Sequence, residues 1–362
     1  MLLGTIVLFI ALLAALILIH EWGHFFVARK AGIRVDEFGL GFPPKAFSVK
    51  KGETEYSVNW VPLGGFVKIY GENGEGVGDP NSFGSKPLWV RIAVVLAGVA
   101  MNFLLGIMFL ALGFWYGLPQ VIDEDTTTYA ARDVKVTVLQ VAPASPAEAA
   151  GLKIGDSVSM IKSTGGETPI AEVATLQEVI AAHKGEEVTL VLQRGRETIE
   201  KTLVPRTEVP EDQGPLGVVI EKTGIVSYPW YRAPIEGTKA AFSLSWLFIS
   251  TFAEIIWNLI TQGRLIAEIA GPVGIGALTY QVTQLGLSYV IQFAAIISLN
   301  LAIINAIPFP ALDGGRILFL VIEGVKGSPV SQRAEGIAHT AGFVFLIALM
   351  VLVTARDIAK LF

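Results

Sequence analysis

The chain is predicted to be a polytopic α-helical membrane protein with four transmembrane helices, a cytoplasmic membrane-associated β-hairpin region and one small extracytoplasmic α+β domain. Three observations carry this prediction. Of its 362 residues, 52% are hydrophobic and 16% charged, and the mean hydropathy is +0.57, too apolar for an ordinary soluble enzyme. Four stretches approach the about 20 apolar residues a helix needs to cross a bilayer. Between the second and third, short alternating strands and glycine turns replace that pattern. The net charge of −5 is modest, and no basic run is interleaved with aromatics, so the expected partner is the lipid bilayer and not nucleic acid. The absence of cysteine excludes disulfides, thiolate zinc sites and cysteine nucleophiles together.

Residues 1–28 form the first expected span. No basic residue precedes it and no small-x-small cleavage site closes it, so it is expected to be retained. Segment 29–87 carries Arg29, Lys30, Arg34, Lys45, Lys50, Lys51, Lys68 and Lys86, which places it in the cytoplasm by the positive-inside rule. Within it, Tyr56–Trp60 and Phe66–Tyr70 flank Pro62–Gly65 and predict a hairpin. Residues 88–118 form the second span, and 134–204 a compact aqueous domain. The connection 205–284 contains a Pro- and Gly-punctuated linker, an apolar stretch at 240–260, and Gly271-Pro272-Val273-Gly274-Ile275, expected as a loop. If 240–260 crossed the bilayer, the next span would run outward and end on the wrong side. It is therefore expected as an interfacial helix, with Glu254 and Asn258 on its wetter face. Residues 285–315 and 336–356 are the third and fourth spans.

His20-Glu21-Trp22-Gly23-His24 matches H-E-x-x-H. Two histidines one helical turn apart point the same way, with a glutamate beside the metal face. A catalytic zinc needs a third protein ligand and one open position. That ligand should lie on another span ending at the same face. In Asn305-Ala-Ile-Pro308-Phe-Pro310-Ala-Leu-Asp313-Gly314-Gly315, two prolines and two glycines break the helix around one carboxylate. Irregular backbone at membrane depth is tolerated only beside protein or a wet cavity, which makes Asp313 the candidate. The other two histidines, His183 and His339, are expected to be structural.

With both motifs in view, the chain closely resembles the site-2 protease family of intramembrane zinc metalloproteases, most nearly its bacterial RseP/RasP type. Further parts of the resemblance are Phe38-Gly-Leu-Gly41-Phe42, Pro62-Leu-Gly-Gly-Phe-Val-Lys-Ile-Tyr-Gly-Glu72, Gly98 with Asn102, and Gly271–Ile275. So is Ala144–Asp156 within 134–204, which is similar to a bacterial PDZ domain. Val99 and Pro43 depart from the family pattern, and one PDZ-like domain stands where relatives can carry two.

The resemblance implies zinc held by His20, His24 and Asp313, Glu21 as catalytic base, and a substrate path lined by Asn300, Asn305 and Pro308. It further implies a bacterial inner-membrane enzyme with its active site near the cytoplasmic side. The expected substrates are single-span membrane proteins such as anti-sigma factors or remnant signal peptides, cleaved in regulated proteolysis. Zinc in such a site lowers the pKa of water to roughly 7, and Glu21 moves the protons. A metal transporter or sensor could use the same ligands. Glu21 speaks against it, because transport gives a base beside an open metal position nothing to do, and no second ligand set repeats the first.

Overall fold

The computed structural model describes residues 2–76, 78–122, 131–195, 197–210, 213–263 and 271–359. Two compact units emerge, one of Met1–Leu110, Gly237–Tyr280 and Phe293–Phe362, the other of Ala111–Glu236 and Gln281–Gln292.

The first unit opens with helix α1 (Leu2–Lys30), uncharged as far as Ile19 and closed by Arg29 and Lys30, which meet the negative end of its dipole. It stops at Gly32, whose φ of +67° ends the helix. Strands β1 (Val35–Lys51) and β2 (Thr54–Ile69) follow, joined at Gly52. Leu40 pairs with Val58 on one side and Gly65 on the other. Two bent strands thus make four segments in the order 45–51, 54–59, 35–42 and 61–69, the two outer pairings antiparallel and the central one, 54–59 with 35–42, parallel. This corrects the expected hairpin. Tyr56–Trp60 and Phe66–Ile69 are halves of one strand, and the start of β1 lies between them. Gly64, at φ +91°, bends the strand where a reversal was expected. Helix α2 (Leu88–Tyr116) then returns through the unit.

The second unit holds β3 (Leu118–Val121), β4 (Ala131–Val141), α3 (Pro146–Ala149), β5 (Ser157–Ser163), β6 (Gly166–Pro169), α4 (Val173–Ala182), β7 (Val188–Arg194), β8 (Glu197–Leu203) and β9 (Val218–Val226). The sheet runs β3-β9-β4-β5-β7-β8, with β6 on β5. Alternate residues Val136, Val138, Leu190 and Leu192 fill a core with Leu176 and Ile180 of α4. The sheet is wider than 134–204, since β9 pairs along β4 and β3 pairs with β9. Without β9, β4 would be an open edge.

The remaining helices are α5 (Ala233–Gln262), α6 (Pro272–Leu285), α7 (Leu287–Ala306), α8 (Asp313–Lys326) and α9 (Gln332–Ala359). Among the described residues five helices are long and apolar enough to cross a membrane: Gly4–Lys30, Leu88–Tyr116, Ala233–Gln262, Leu287–Ala306 and Gln332–Ala359. That is one more than the four expected, because the 240–260 stretch belongs to an unbroken 30-residue helix.

The expected Gly271–Ile275 loop is instead the start of α6. Pro272 takes the first helical position, and Asp357 of α9 accepts hydrogen bonds from the N–H groups of Gly271 (2.9 Å) and Gly274 (2.7 Å). Residues 264–270, within the expected 205–284 connection, lie outside the described residues. The expected third span, 285–315, is α7 followed by a non-helical turn and the first residues of α8.

Candidate active site

His20 and His24 project from one face of α1, both 8% exposed. Helix α2 meets this face through small residues. A Cβ on Gly23 would stand 2.4 Å from the Ala97 carbonyl oxygen, and one on Gly98 would stand 2.3 Å from His24 Nε2 and 2.8 Å from His20 Cε1. Gly98, Asn102 and Gly106 follow one stripe of α2 at i, i+4 and i+8. A Cβ on Gly106 would meet Leu299 of α7 at 2.6 Å.

Each imidazole is oriented by its second nitrogen. His24 Nδ1–H donates to the Val94 carbonyl at 2.9 Å, leaving Nε2 free as a ligand. The Asn102 carboxamide, fully buried, lies 3.2 Å from His20 Nδ1, and its Oδ1 has no hydrogen-bond partner. Turning the amide by half a rotation lets Oδ1 accept from Nδ1–H, which again frees Nε2. The backbone of Asn102 is held in turn, its carbonyl accepting from Ser298 Oγ at 2.7 Å.

Asp313 begins α8, where a carboxylate suits the positive end of the helix dipole. Its Oδ2 lies 3.1 Å from His20 Nε2 and 3.3 Å from His24 Nε2, and the two Nε2 atoms are 3.3 Å apart. Tetrahedral ligands about 2.0–2.1 Å from zinc stand roughly 3.3 Å from one another, so the spacing fits. Asp313 Oδ2 is buried with no hydrogen-bond partner, and a cation satisfies this oxygen and both nitrogen lone pairs together. Among the described residues this is the one cluster of its kind.

Gly314 and Gly315 are helical, and their expected role as flexible turn residues is corrected. They let carbonyls approach: a Cβ on Gly314 would meet Ile307 O at 2.2 Å, and one on Gly315 would meet Phe309 O at 2.3 Å. The turn before Asp313 folds onto them.

Glu21 is half-buried next to the histidines. Gly65 on the 61–69 segment packs beside it, and a Cβ there would be 3.1 Å from Glu21 Cγ. At the end of that segment Glu72 pairs with Arg316 of α8. Burial pushes the Glu72 carboxyl up from its ordinary range, while the Arg316 guanidinium pulls it back.

Asn305 continues the buried α7 stripe of Ser298 and Ala302. Asn300 lies off that stripe, and Pro308 is exposed in the turn after α7. Val94, Ser298 and Arg316 carry no motif of their own. The one available signal was the basic residue three positions beyond Asp313.

Two imidazoles and an adjacent glutamate on a helix long enough to cross a membrane, met by a carboxylate from the start of α8, define a membrane metalloprotease. The chain belongs to peptidase family M50, whose profile matches residues 8–349. The zinc metalloprotease RasP of Geobacillus kaustophilus is 30% identical, with 99% of both chains covered, and that of Oceanobacillus iheyensis is 30% identical, again over 99% of each. The regulator of sigma-W protease RasP of Bacillus subtilis is 29% identical over 100% of each. The protein is a multi-pass membrane zinc metalloprotease of the site-2 type.

Proposed function

We propose that the enzyme cleaves single-span membrane substrates within the bilayer, with His20, His24 and Asp313 as zinc ligands and Glu21 as general base. The observation that carries this is the convergence of Asp313 Oδ2 on two imidazole nitrogens beside a glutamate that is itself flanked by a strand edge. Zinc, when held there, supplies Lewis acidity and an acidified water. Glu21 takes the proton of the attacking water and returns one to the departing amine. Asn305 donates to the carbonyl oxygen as charge develops on it.

A substrate helix hides its peptide bonds in its own hydrogen bonding and must be unwound before it is cut. Among the described residues, segment 61–69 pairs with strand residues on one edge only. We assign its other edge to substrate, which adds as an extended strand through main-chain hydrogen bonds. Asn300, Asn305 and Pro308 line the approach. The 29–87 segment is cytoplasmic, the second unit is an extracytoplasmic PDZ-like module that screens substrates by size, and the membrane is the bacterial inner membrane. Anti-sigma factors and remnant signal peptides fit as substrates; one relative bears the name regulator of sigma-W protease. The PDZ-like module is supported by a buried Asp156 paired with Arg194 at 2.7 Å, which fixes the Gly155–Asp156 turn.

The test compares purified wild type with Glu21→Gln on a single-span substrate, zinc being quantified in both. Cleavage by wild type alone, at equal zinc, is expected. Full cleavage by Glu21→Gln overturns the mechanism.

A further inference from the structure

The turn that carries Asp313 is held from behind by α9. Ala311, two residues before the aspartate, has φ +81°, a region unfavourable to a residue with a Cβ that persists only where its surroundings enforce it. Its N–H donates to His339 Nδ1 at 2.9 Å. One turn along α9, Gly342 receives the neighbouring residue. A Cβ there would stand 2.3 Å from Pro310 O. Phe345 then meets the Phe309 ring at 5.7 Å. His339, Gly342 and Phe345 form a single stripe on which Phe309, Pro310 and Ala311 are seated in register. The turn and α9 together border a cleft of about 410 Å³, lined among others by Asp313, Arg316, His339 and Thr340.

His339 lies in a helix of membrane-spanning length, where an ionisable side chain is costly unless it serves a purpose. Its Nδ1 accepts from a backbone N–H, so Nε2 carries the proton. That Nε2 is buried without a hydrogen-bond partner, and Glu335 Oε1 is 3.8 Å away. The polar bond that the ring makes is thus directed at the Ala311 backbone.

We infer that His339 is a positioning residue for the metal centre, holding Ala311 in its left-handed turn and so aiming Asp313 Oδ2 at His20 and His24. The inference rests on the ligand set proposed above. Without the acceptor, the Ala311 N–H is unpaired in a low-dielectric setting and the strained turn relaxes, carrying Asp313 with it.

The experiment uses the full chain in detergent and measures zinc affinity by competition with a chromogenic chelator, alongside kcat and KM. His339→Phe keeps the ring and removes the acceptor; His339→Asn places Oδ1 near the position of Nδ1. His339→Phe is expected to weaken zinc by about 10- to 100-fold and to lower kcat with KM unchanged, while His339→Asn stays within about threefold of wild type by restoring the same hydrogen bond. Should the phenylalanine not fold, His339→Leu takes its place. Wild-type zinc affinity in the acceptor-free variant overturns the inference, and so does an asparagine variant as weak as the phenylalanine one. Asp313→Ala, run in parallel, separates the two levels. If it retains zinc, the ligand set fails and the positioning role falls with it; if it loses zinc while His339→Phe does not, only the positioning role falls.

Discussion

Gly65 and Glu21 touch across the wall of α1: a Cβ on the glycine would lie 3.1 Å from Glu21 Cγ and 3.0 Å from Ile17 Cγ2. The strand segment assigned to substrate and the side chain assigned to proton transfer are therefore packed so closely that even a methyl group would be tight between them. A branched side chain at this position must move one of them. Gly65→Val is expected to lower kcat/KM by about 10²-fold, the scale of a 1 Å misplacement, with zinc content unchanged. Metal analysis of the same preparation that is assayed checks both halves.

Gly98 and Gly106 offer a matched pair on α2. The first faces His24 Nε2 at 2.3 Å and the second faces the Leu299 side chain at 2.6 Å. Gly98→Ala is expected to expel zinc, because the imidazoles cannot keep their place. Gly106→Ala is expected to cost about 1–3 kcal/mol of stability through overpacking and to keep its metal. Zinc stoichiometry and thermal unfolding of the two variants distinguish these outcomes, and equal zinc in both would contradict the placement of Gly98.

Asn102 orients His20 from outside the ligand set. Asn102→Leu removes that contact at nearly constant volume and is expected to weaken zinc by about 10- to 100-fold. Since Ser298 bonds the backbone carbonyl at this position, the α2–α7 contact should survive. Chelator competition, with circular dichroism as the control for folding, reports on both.

Zinc should also support the fold, because its proposed ligands join α1 to α8. Free zinc at about a thousand times its dissociation constant is expected to stabilise the wild type by about 4 kcal/mol. Glu21→Gln should show the same shift of the unfolding midpoint on chelator treatment, and Asp313→Ala should show none.

The metal motif was legible because its spacing is local: His20 and His24 are one helical turn apart, and the proline–glycine punctuation around Asp313 marks a break wherever it occurs. Long apolar runs likewise announced α1, α2, α7 and α9. Other features depend on what lies far along the chain. No local pattern distinguishes a hairpin at Pro62–Gly65 from a bend, since the difference is made by β1 entering between the two halves of β2. Helix α6 is 14 residues long, too short to register as a span, and its starting proline and glycine resemble a loop until Asp357, 86 positions from Gly271, accepts the N–H groups. Gly314 and Gly315 signalled conformational freedom, yet what they provide is space for the carbonyls of Ile307 and Phe309.

His20 and His24 belong to α1 and Asp313 to α8, 293 positions beyond His20. A ribosome must therefore deliver every element from α1 to α8 before the three groups can meet. Throughout that interval the growing chain is surrounded by membrane helices, its own included, that a finished enzyme might attack. Dividing the proposed ligands between helices so far apart in the chain leaves the nascent protein without its third ligand until α8 is made. Proteolytic competence is thereby tied to completed insertion.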